Sequence, residues 1–349
     1  MRILSIGGKS MNRGFRELGH ELLSVGYHDD DNIKLHKPVN ALKLFNRIRA
    51  EGYAPDFALC CDESSHPFLP GMEEIPCPTA LYSVDSFRRR WHDTIAYAFD
   101  AVFVARKECG QGFSSGEIPV HWLPAYARQA PCGPLVPWEL RETPERDIPV
   151  SFVGTVSQPH NPERKGFLQN FKRAHPLIIH SGPCEAIYRR SRIVLNQTVA
   201  ADVNCRCFEA VINGAALLTE KSARGIEEIF TPGEHILPLY TRGNWREAAF
   251  IAGEALKKPE QLAEIAENGH KHVLACHMAR NRAASVLKVM EELIRENADI
   301  KRLSRLDFRR AFLADAYAML GEDTAEPAGE TFAAIYREQA ARTRMAIAV

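Results

Sequence analysis

The 349-residue sequence contains no long hydrophobic run; no stretch approaches the roughly 18 apolar residues that a membrane span needs. Its start, Met1 to Phe15, offers only a short apolar run before Gly7-Gly8, too little for the core of a secretion signal. The protein is therefore expected to be made and kept in the cytoplasm. It lacks an excess of either charge. Lys+Arg and Asp+Glu both number 44, so the formal net charge is zero, and nothing electrostatic points to nucleic acid or an anionic membrane as partner. It also lacks metal-ligand spacing. The nine cysteines include the close pairs Cys60-Cys61 and Cys205-x-Cys207, neither of which is a zinc knuckle, so reduced buried thiols are expected in place of metal or disulfides. No Asp-x-Asp closes a strand, and Asp29-Asp30-Asp31 is a run in a polar loop. No metal site and no resident cofactor are expected.

What is present is a rhythm. At roughly 100–200 residues per domain the length suggests two. Short apolar runs at Arg2–Ile6, Glu21–Val25, Phe57–Cys61, Thr79–Val84, Ala101–Val104 and Val120–Leu123 alternate with amphipathic stretches, as in a parallel sheet covered on both faces. Helices are expected at about 11–20, 41–50, 88–99 and 106–115. Five prolines, Pro131, Pro134, Pro137, Pro144 and Pro149, together with Gly133, crowd into residues 128–149, which read as a linker because proline fixes the backbone and lacks a donor. The pattern restarts with Val150–Val153, Leu177–Ile179, Ile193–Leu195, Ala216–Leu218 and Ile236–Leu239, and closes in helices. The expected organisation is an N-terminal Rossmann-like domain over 1–127, the linker over 128–149, a second Rossmann-like domain over 150–300, and a helical extension over 301–349. In such α/β domains ligands sit beyond the carboxyl ends of the strands.

Candidate residues follow from that placement. Gly154-Thr155 ends a strand where a glycine lets a ligand approach the main chain, and Arg164 follows on the next helix to neutralise phosphate. His180-Ser181 and Asn196 end the next two strands. Asn204, Arg206, Glu209 and Ala210 lie where a polar loop enters a helix with a buried stripe at Phe208, Val211 and Ile212. Glu209 is expected in its first turn, either as a cap or as acceptor for two ribose hydroxyls. Gly7-Gly8 and Asp62 line the corresponding end of the first domain, and His66 follows Asp62. Asp85 follows the fourth strand, either as general base or acceptor ligand or as a helix cap. His92 is expected on the surface.

Arg206-x-Phe208-Glu209-Ala210, Gly214, Glu228-Ile-Phe230-x-x-Gly233-x-His235, His270-x-His272 and His277-x-x-x-x-Arg282 resemble the C-terminal domain of CgeB-like glycosyltransferases. Tyr82–Phe87, Phe99–Phe103 and Trp122–Ala125 resemble their N-terminal half. The resemblance covers roughly residues 79–290. It implies a GT-B fold, with 1–127 as acceptor domain and 150–300 as nucleotide-sugar donor domain, and transfer of a sugar from a nucleotide-diphosphate carrier to a saccharide, protein or small-molecule acceptor, by retention before inversion; the missing Asp-x-Asp agrees with a metal-independent enzyme. It places Glu209-Ala210 on the donor ribose and Arg164, or alternatively Arg206, on the phosphates. Related retaining enzymes carry a sugar-contacting glutamate where Ala201 stands here; Asp202 and Asn204 are placed to substitute, and Asp202 joins Asp85 as a catalytic candidate. A nucleotide-sugar epimerase, a phosphorylase and a non-catalytic assembly protein are the competing readings. The apolar face of Phe308, Phe312, Leu313, Tyr317 and Leu320 is expected to pack on the N-terminal domain or to bind another subunit, including a second copy of the chain.

Overall fold

The computed structural model describes residues 1–62, 69–84, 91–111, 117–128, 146–157, 161–199, 201–221, 224–328 and 330–347. The chain divides into two compact units, one made of Met1–Leu123 with Arg280–Val349 and the other of Pro124–Ala279.

The first unit opens with β1 (Arg2–Gly7), α1 (Asn12–Glu17), β2 (Glu21–Gly26), β3 (Ile33–Lys34) and α2 (Ala41–Ala50). It continues with β4 (Phe57–Asp62), β5 (Thr79–Ser83), α3 (His92–Ile95), β6 (Ala101–Val104) and β7 (Val120–Trp122). The strands form a seven-stranded sheet in the order β3-β2-β1-β4-β5-β6-β7, every pair parallel. β4 is buried along its whole length, as a strand covered on both faces must be. The register Gly7↔Cys61 aligns the carboxyl ends of β1 and β4. The connections leave in opposite directions on the two sides of this pair, so it is the switch point of the sheet. α2 shows the local logic of the helices. Asn40 caps it by accepting from Lys43 N at 3.2 Å, and Ala41, Leu44, Phe45 and Ile48 give it one buried face.

The second unit runs β8 (Ile148–Val153), α4 (Arg164–Ala174), β9 (Ile178–His180), α5 (Glu185–Arg190), β10 (Ser191–Leu195), α6 (Cys205–Ile212), β11 (Ala216–Leu218), α7 (Ile226–Ile229), α8 (Trp245–Leu256) and α9 (Pro259–Cys276). Its parallel sheet has the order β11-β10-β8-β9, and here the switch lies between β8 and β10. The expected strand at Ile236–Leu239 is absent. Leu237 N does reach Leu217 O at 3.0 Å, but Pro238 has no donor with which to extend a ladder, and only isolated bridges form around it.

The chain ends in α10 (Ala279–Arg295), α11 (Ala298–Ser304), α12 (Leu306–Ala328) and α13 (Glu330–Ile347). From Arg280 onward they belong to the first unit, so neither a second domain ending at 300 nor a separate extension describes them. Leu313, Tyr317, Leu320, Tyr336 and Ala340 join the core that β1, β4, β5 and α2 build. Phe308 and Phe312 stay more exposed, with Phe312 stacked on Tyr97 at 4.2 Å. Two buried polar nodes lock the helices in place. Arg302, fully buried, pairs with Asp100 and donates to Thr79 Oγ1 (2.9 Å), Glu73 O (3.1 Å), Cys77 O (3.0 Å) and Ile75 O. Glu73, also fully buried, accepts from the Tyr317 hydroxyl at 2.5 Å and from Gln339 Nε2 at 3.0 Å.

Burial pushes the Glu73 carboxyl above its ordinary value, while the two donors pull it partly back. A carboxyl raised on folding binds its proton more tightly in the native state. The stability it contributes is full below the unfolded value near 4.3 and is lost as the pH rises through the folded value. The difference in stability between wild type and Glu73→Gln should therefore shift against wild type with rising pH, read by denaturant titrations between pH 4 and 8. Parallel curves would show that Glu73 does not titrate differently on folding. Among the described residues no helix is long and apolar enough to cross a membrane.

Candidate functional site

In the second unit the strand ends converge on Arg206. Asn204, in extended conformation, caps α6, so the helix starts at Cys205 and Arg206 lies in its first turn. The Arg206 guanidinium donates to Val153 O, at the end of β8, at 2.9 Å and to Asn196 Oδ1, just past β10, at 2.6 Å. It thereby spans the switch point, lying over the Phe152 ring at 4.7 Å. Gly154 makes this possible. Its φ of +147° suits glycine, and a Cβ there would sit 2.5 Å from Arg206 Nη2. Asn196, fully buried, is held in turn by Thr219 Oγ1 (3.0 Å), by Tyr240, which donates to its carbonyl (2.7 Å), and by Asn204 Nδ2 (3.3 Å). The Asn204 side chain makes no capping hydrogen bond to α6, whose N-terminal end carries the partial positive charge that favours an anion.

Arg164 does not share this edge. It is 2% exposed, and it donates to Thr155 O (2.9 Å), Gln197 O (2.8 Å) and Gln197 Oε1 (2.8 Å). Burial and the charge of Arg206 push its pKa down to about 10. Its geometry is that of an anchor for the loops after β8 and β10. Asn161 extends the anchor to Gln197 (2.9 Å) and Thr198 O (2.6 Å). Fully buried Glu220 accepts from Thr198 N (3.1 Å) and its hydroxyl, and that hydroxyl accepts from Ala201 N (2.9 Å). These bonds hold Ala201 at φ +58°, a conformation an L-residue adopts at a cost of about 1–2 kcal/mol. Asp202, partly exposed, follows it on the way to α6. The residues Asn161, Gln197, Thr198 and Glu220 escaped the sequence reading. The only local signal was their position directly after a strand or before α4.

Glu209 falls just past the first turn of α6, because the helix begins at Cys205; the helix dipole is correspondingly weaker there. Burial raises its carboxyl above the ordinary value, whereas Arg128 and Arg206 pull it back towards ionisation, and the Cys184 thiol donates to it at 3.8 Å. Ala210 is fully buried in the helix. His180 and Ser181 end β9 at partly exposed and exposed positions, and His180 O accepts from Gly154 N at 2.9 Å, joining this loop to the end of β8. The structure thus brings together Gly154, Thr155, His180, Asn196, Asn204, Arg206 and Glu209, with Arg164 beneath them.

In the first unit Gly7 has φ +85°, and a Cβ there would meet Cys61 O at 2.6 Å, while Gly8 N donates to the same carbonyl at 3.0 Å. Asp62 ends β4 beside them. Its partner is His92, whose Nε2 lies 2.7 Å from Asp62 Oδ2. His92 is fully buried, contrary to the surface position expected, because the turn around Trp91 folds it inward against Trp91 (rings 4.2 Å apart). Asp85 and His66 lie outside the described residues. Among the described residues no group of three or more His, Cys, Asp or Glu could hold a metal ion, and the described cysteines are all free.

Comparison with known proteins agrees with this geometry. Residues 140–288 match the model of the Glycosyl transferase-like family. No curated protein sequence matches the chain. Among solved structures, HepE of Anabaena in complex with UDP superposes with a TM-score of 0.56 at 12% identity, covering 84% of this chain and all of that one. The same protein has been solved with UDP-glucose. A glycosyltransferase from Rickettsia africae gives 0.55 at 11% identity, covering 84% and 98%. A sucrose-phosphate synthase from Thermosynechococcus elongatus gives 0.53 at 11%, covering 85% and 100%. The likeness is one of fold: the chain has two parallel-sheet, Rossmann-like domains of the GT-B glycosyltransferase kind.

Proposed function

We propose that this protein is a glycosyltransferase of the CgeB-like type that moves a sugar from a nucleotide-diphosphate carrier, a UDP-sugar before others, to an acceptor bound by the first unit. The observation that carries the proposal is the constellation at the switch point of the second sheet. Arg206, in the first turn of α6, meets the ends of β8 and β10, and a carboxylate stands one helical turn away. A diphosphate suits the cation and the helix terminus, and Glu209 is an acceptor for two ribose hydroxyls. The UDP in the HepE structures supports the choice of base. In this reading Gly154 and Thr155 offer main-chain groups to the phosphates, His180 and Ser181 meet the base, and Asp202 and Asn204 face the sugar. Gly7, Gly8 and Asp62 line the acceptor side, with Asp85. The chemistry needs no resident cofactor and no metal, because Arg206 and the helix terminus supply the positive charge that the leaving diphosphate requires. Transfer with retention lets the leaving phosphate take the acceptor proton.

Thermal melts with UDP, GDP, dTDP and CMP test the donor assignment. A nucleotide at 100 times its dissociation constant stabilises the fold by about 2.7 kcal/mol. UDP should give the largest shift, and Glu209→Ala should lose most of it. An Ala variant that responds to UDP as wild type does would remove Glu209 from the ribose.

A further inference from the structure

Five aromatic rings run in contact through the second unit, from α6 to the loop after α7: Phe208, Phe230, His277, His272 and His235. Phe208 packs on Phe230 (5.6 Å between centroids) and on the His277 ring (5.7 Å). Phe230 packs in turn on His277 and on His272, each at 5.9 Å. His272, near the end of α9, meets His277 edge to face at 4.8 Å and is stacked on His235 at 4.2 Å, the planes 5° apart. Ala127, fully buried on the stretch by which the chain enters the unit, is tied to the same rings, because its N–H donates to His277 O at 2.9 Å. The three histidines therefore lie where α6, the end of α7, the end of α9 and the entering stretch are joined.

The hydrogen bonds fix which ring nitrogens carry protons. His272 Nε2 lies 2.7 Å from Ile229 O and 3.0 Å from His277 Nε2. A carbonyl only accepts, so His272 Nε2 is the donor. His277 Nε2 must then face it with a lone pair, as the neutral tautomer protonated at Nδ1. Thr231 N donates to His235 Nδ1 at 3.2 Å, so His235 Nδ1 is an acceptor as well. A proton added at either of these acceptor nitrogens sets one N–H against another. Burial and the His272 ring hold the His235 imidazole below its ordinary value, and Glu234, 3.6 Å from His235 Nε2, pulls the other way. We propose that His235 and His277 form a proton-operated latch: neutral, they fasten the end of α9 to α6, to Ile229 and to the entering stretch, and protonated they release it. A histidine that must stay neutral in the fold contributes stability that is full above its unfolded value, about 6.5, and is lost as the pH falls towards the folded value.

Urea titrations of wild type and the double variant His235→Asn, His277→Gln between pH 5 and 8 test the latch. The amide oxygens keep an acceptor where Nδ1 and Nε2 stood but take no proton. The other charged and titratable groups on these elements are Glu227 and Glu228 on α7, Arg206 and Glu209 on α6, His270 and the Glu267–Lys271 pair (2.9 Å) on α9, Glu234, and Arg128 on the entering stretch. They are common to both proteins, so the difference between the two curves isolates the two imidazoles. From pH 8 down to about 6.5 the curves should run parallel. Below that, the unfolding constant of wild type should rise over that of the variant by up to about tenfold per pH unit for each histidine. Curves that stay parallel down to pH 5 would overturn the proposal. Where the double variant does not fold, nitrogen NMR spectra of the wild-type imidazoles at neutral pH decide. His277 should be protonated at Nδ1 and His272 at Nε2, and a His277 protonated at Nε2 would remove the latch.

Discussion

Arg206→Ala is expected to slow the release of UDP from UDP-glucose, measured with water as the acceptor, by a factor of about 10²–10³, as for other single donors aimed at developing charge. Two effects combine in this loss. The leaving diphosphate loses a cation at the strand ends, and Val153 O and Asn196 Oδ1 lose the donor that holds the ends of β8 and β10 together. Arg206→Lys distinguishes them. An ammonium restores charge but not the fork that spans the 2.9 Å and 2.6 Å contacts, so the Lys variant should regain only a small part of the rate. Wild-type rates in Arg206→Ala, in a protein whose melting temperature is unchanged, would place the diphosphate elsewhere.

The largest effect on stability is expected at Arg302. Arg302→Met leaves Asp100 buried, 5% exposed, without its cation, and orphans the carbonyls of Glu73, Ile75 and Cys77. Removing one partner of a buried ion pair costs about 3–5 kcal/mol. For a unit of this size that lowers the melting temperature by about 10 °C or more. The sign of a second substitution is diagnostic. Asp100→Asn in the Arg302→Met background removes the uncompensated charge and should recover part of the loss, because Asn still accepts from Thr79 N, now 2.8 Å from Asp100 Oδ2. A double variant no more stable than Arg302→Met would show that the pair is not what anchors α11.

How far the sequence foretold these features depends on the range over which each is encoded. β1, β4, β8 and β10 are short apolar runs closed by glycine or a polar residue, and their order along the chain is enough to predict parallel sheets. The stretch Asn204 to Gly214 announced α6 through Phe208, Val211 and Ile212, all buried as expected. Burial of single polar residues was not legible. Arg164 reads as a phosphate ligand until Gln197, 33 residues away, is seen to receive it, and His92 reads as surface until Asp62 is found opposite. The placement of α11 to α13 was harder still. Glu73 meets Tyr317 and Gln339 across 244 and 266 residues, a distance over which hydrophobic periodicity says which face is buried but not against what. The two-residue strand β3 carries too few residues to show any alternation at all.

The division of the chain has a consequence for its biosynthesis. The second unit is an insertion: its entering and leaving segments meet at the Ala127–Met278 bridge, so it is complete once residue 279 has been made. The first unit is started first and finished last. Tyr317, Gln339 and Tyr336 fill its interior from the far end of the chain, so until they emerge from the ribosome the core around Met72 and Glu73 stays open. A nascent chain of this protein therefore carries a folded second unit beside an unfinished first unit, and a premature stop within the last helix injures the unit encoded at the other end of the message.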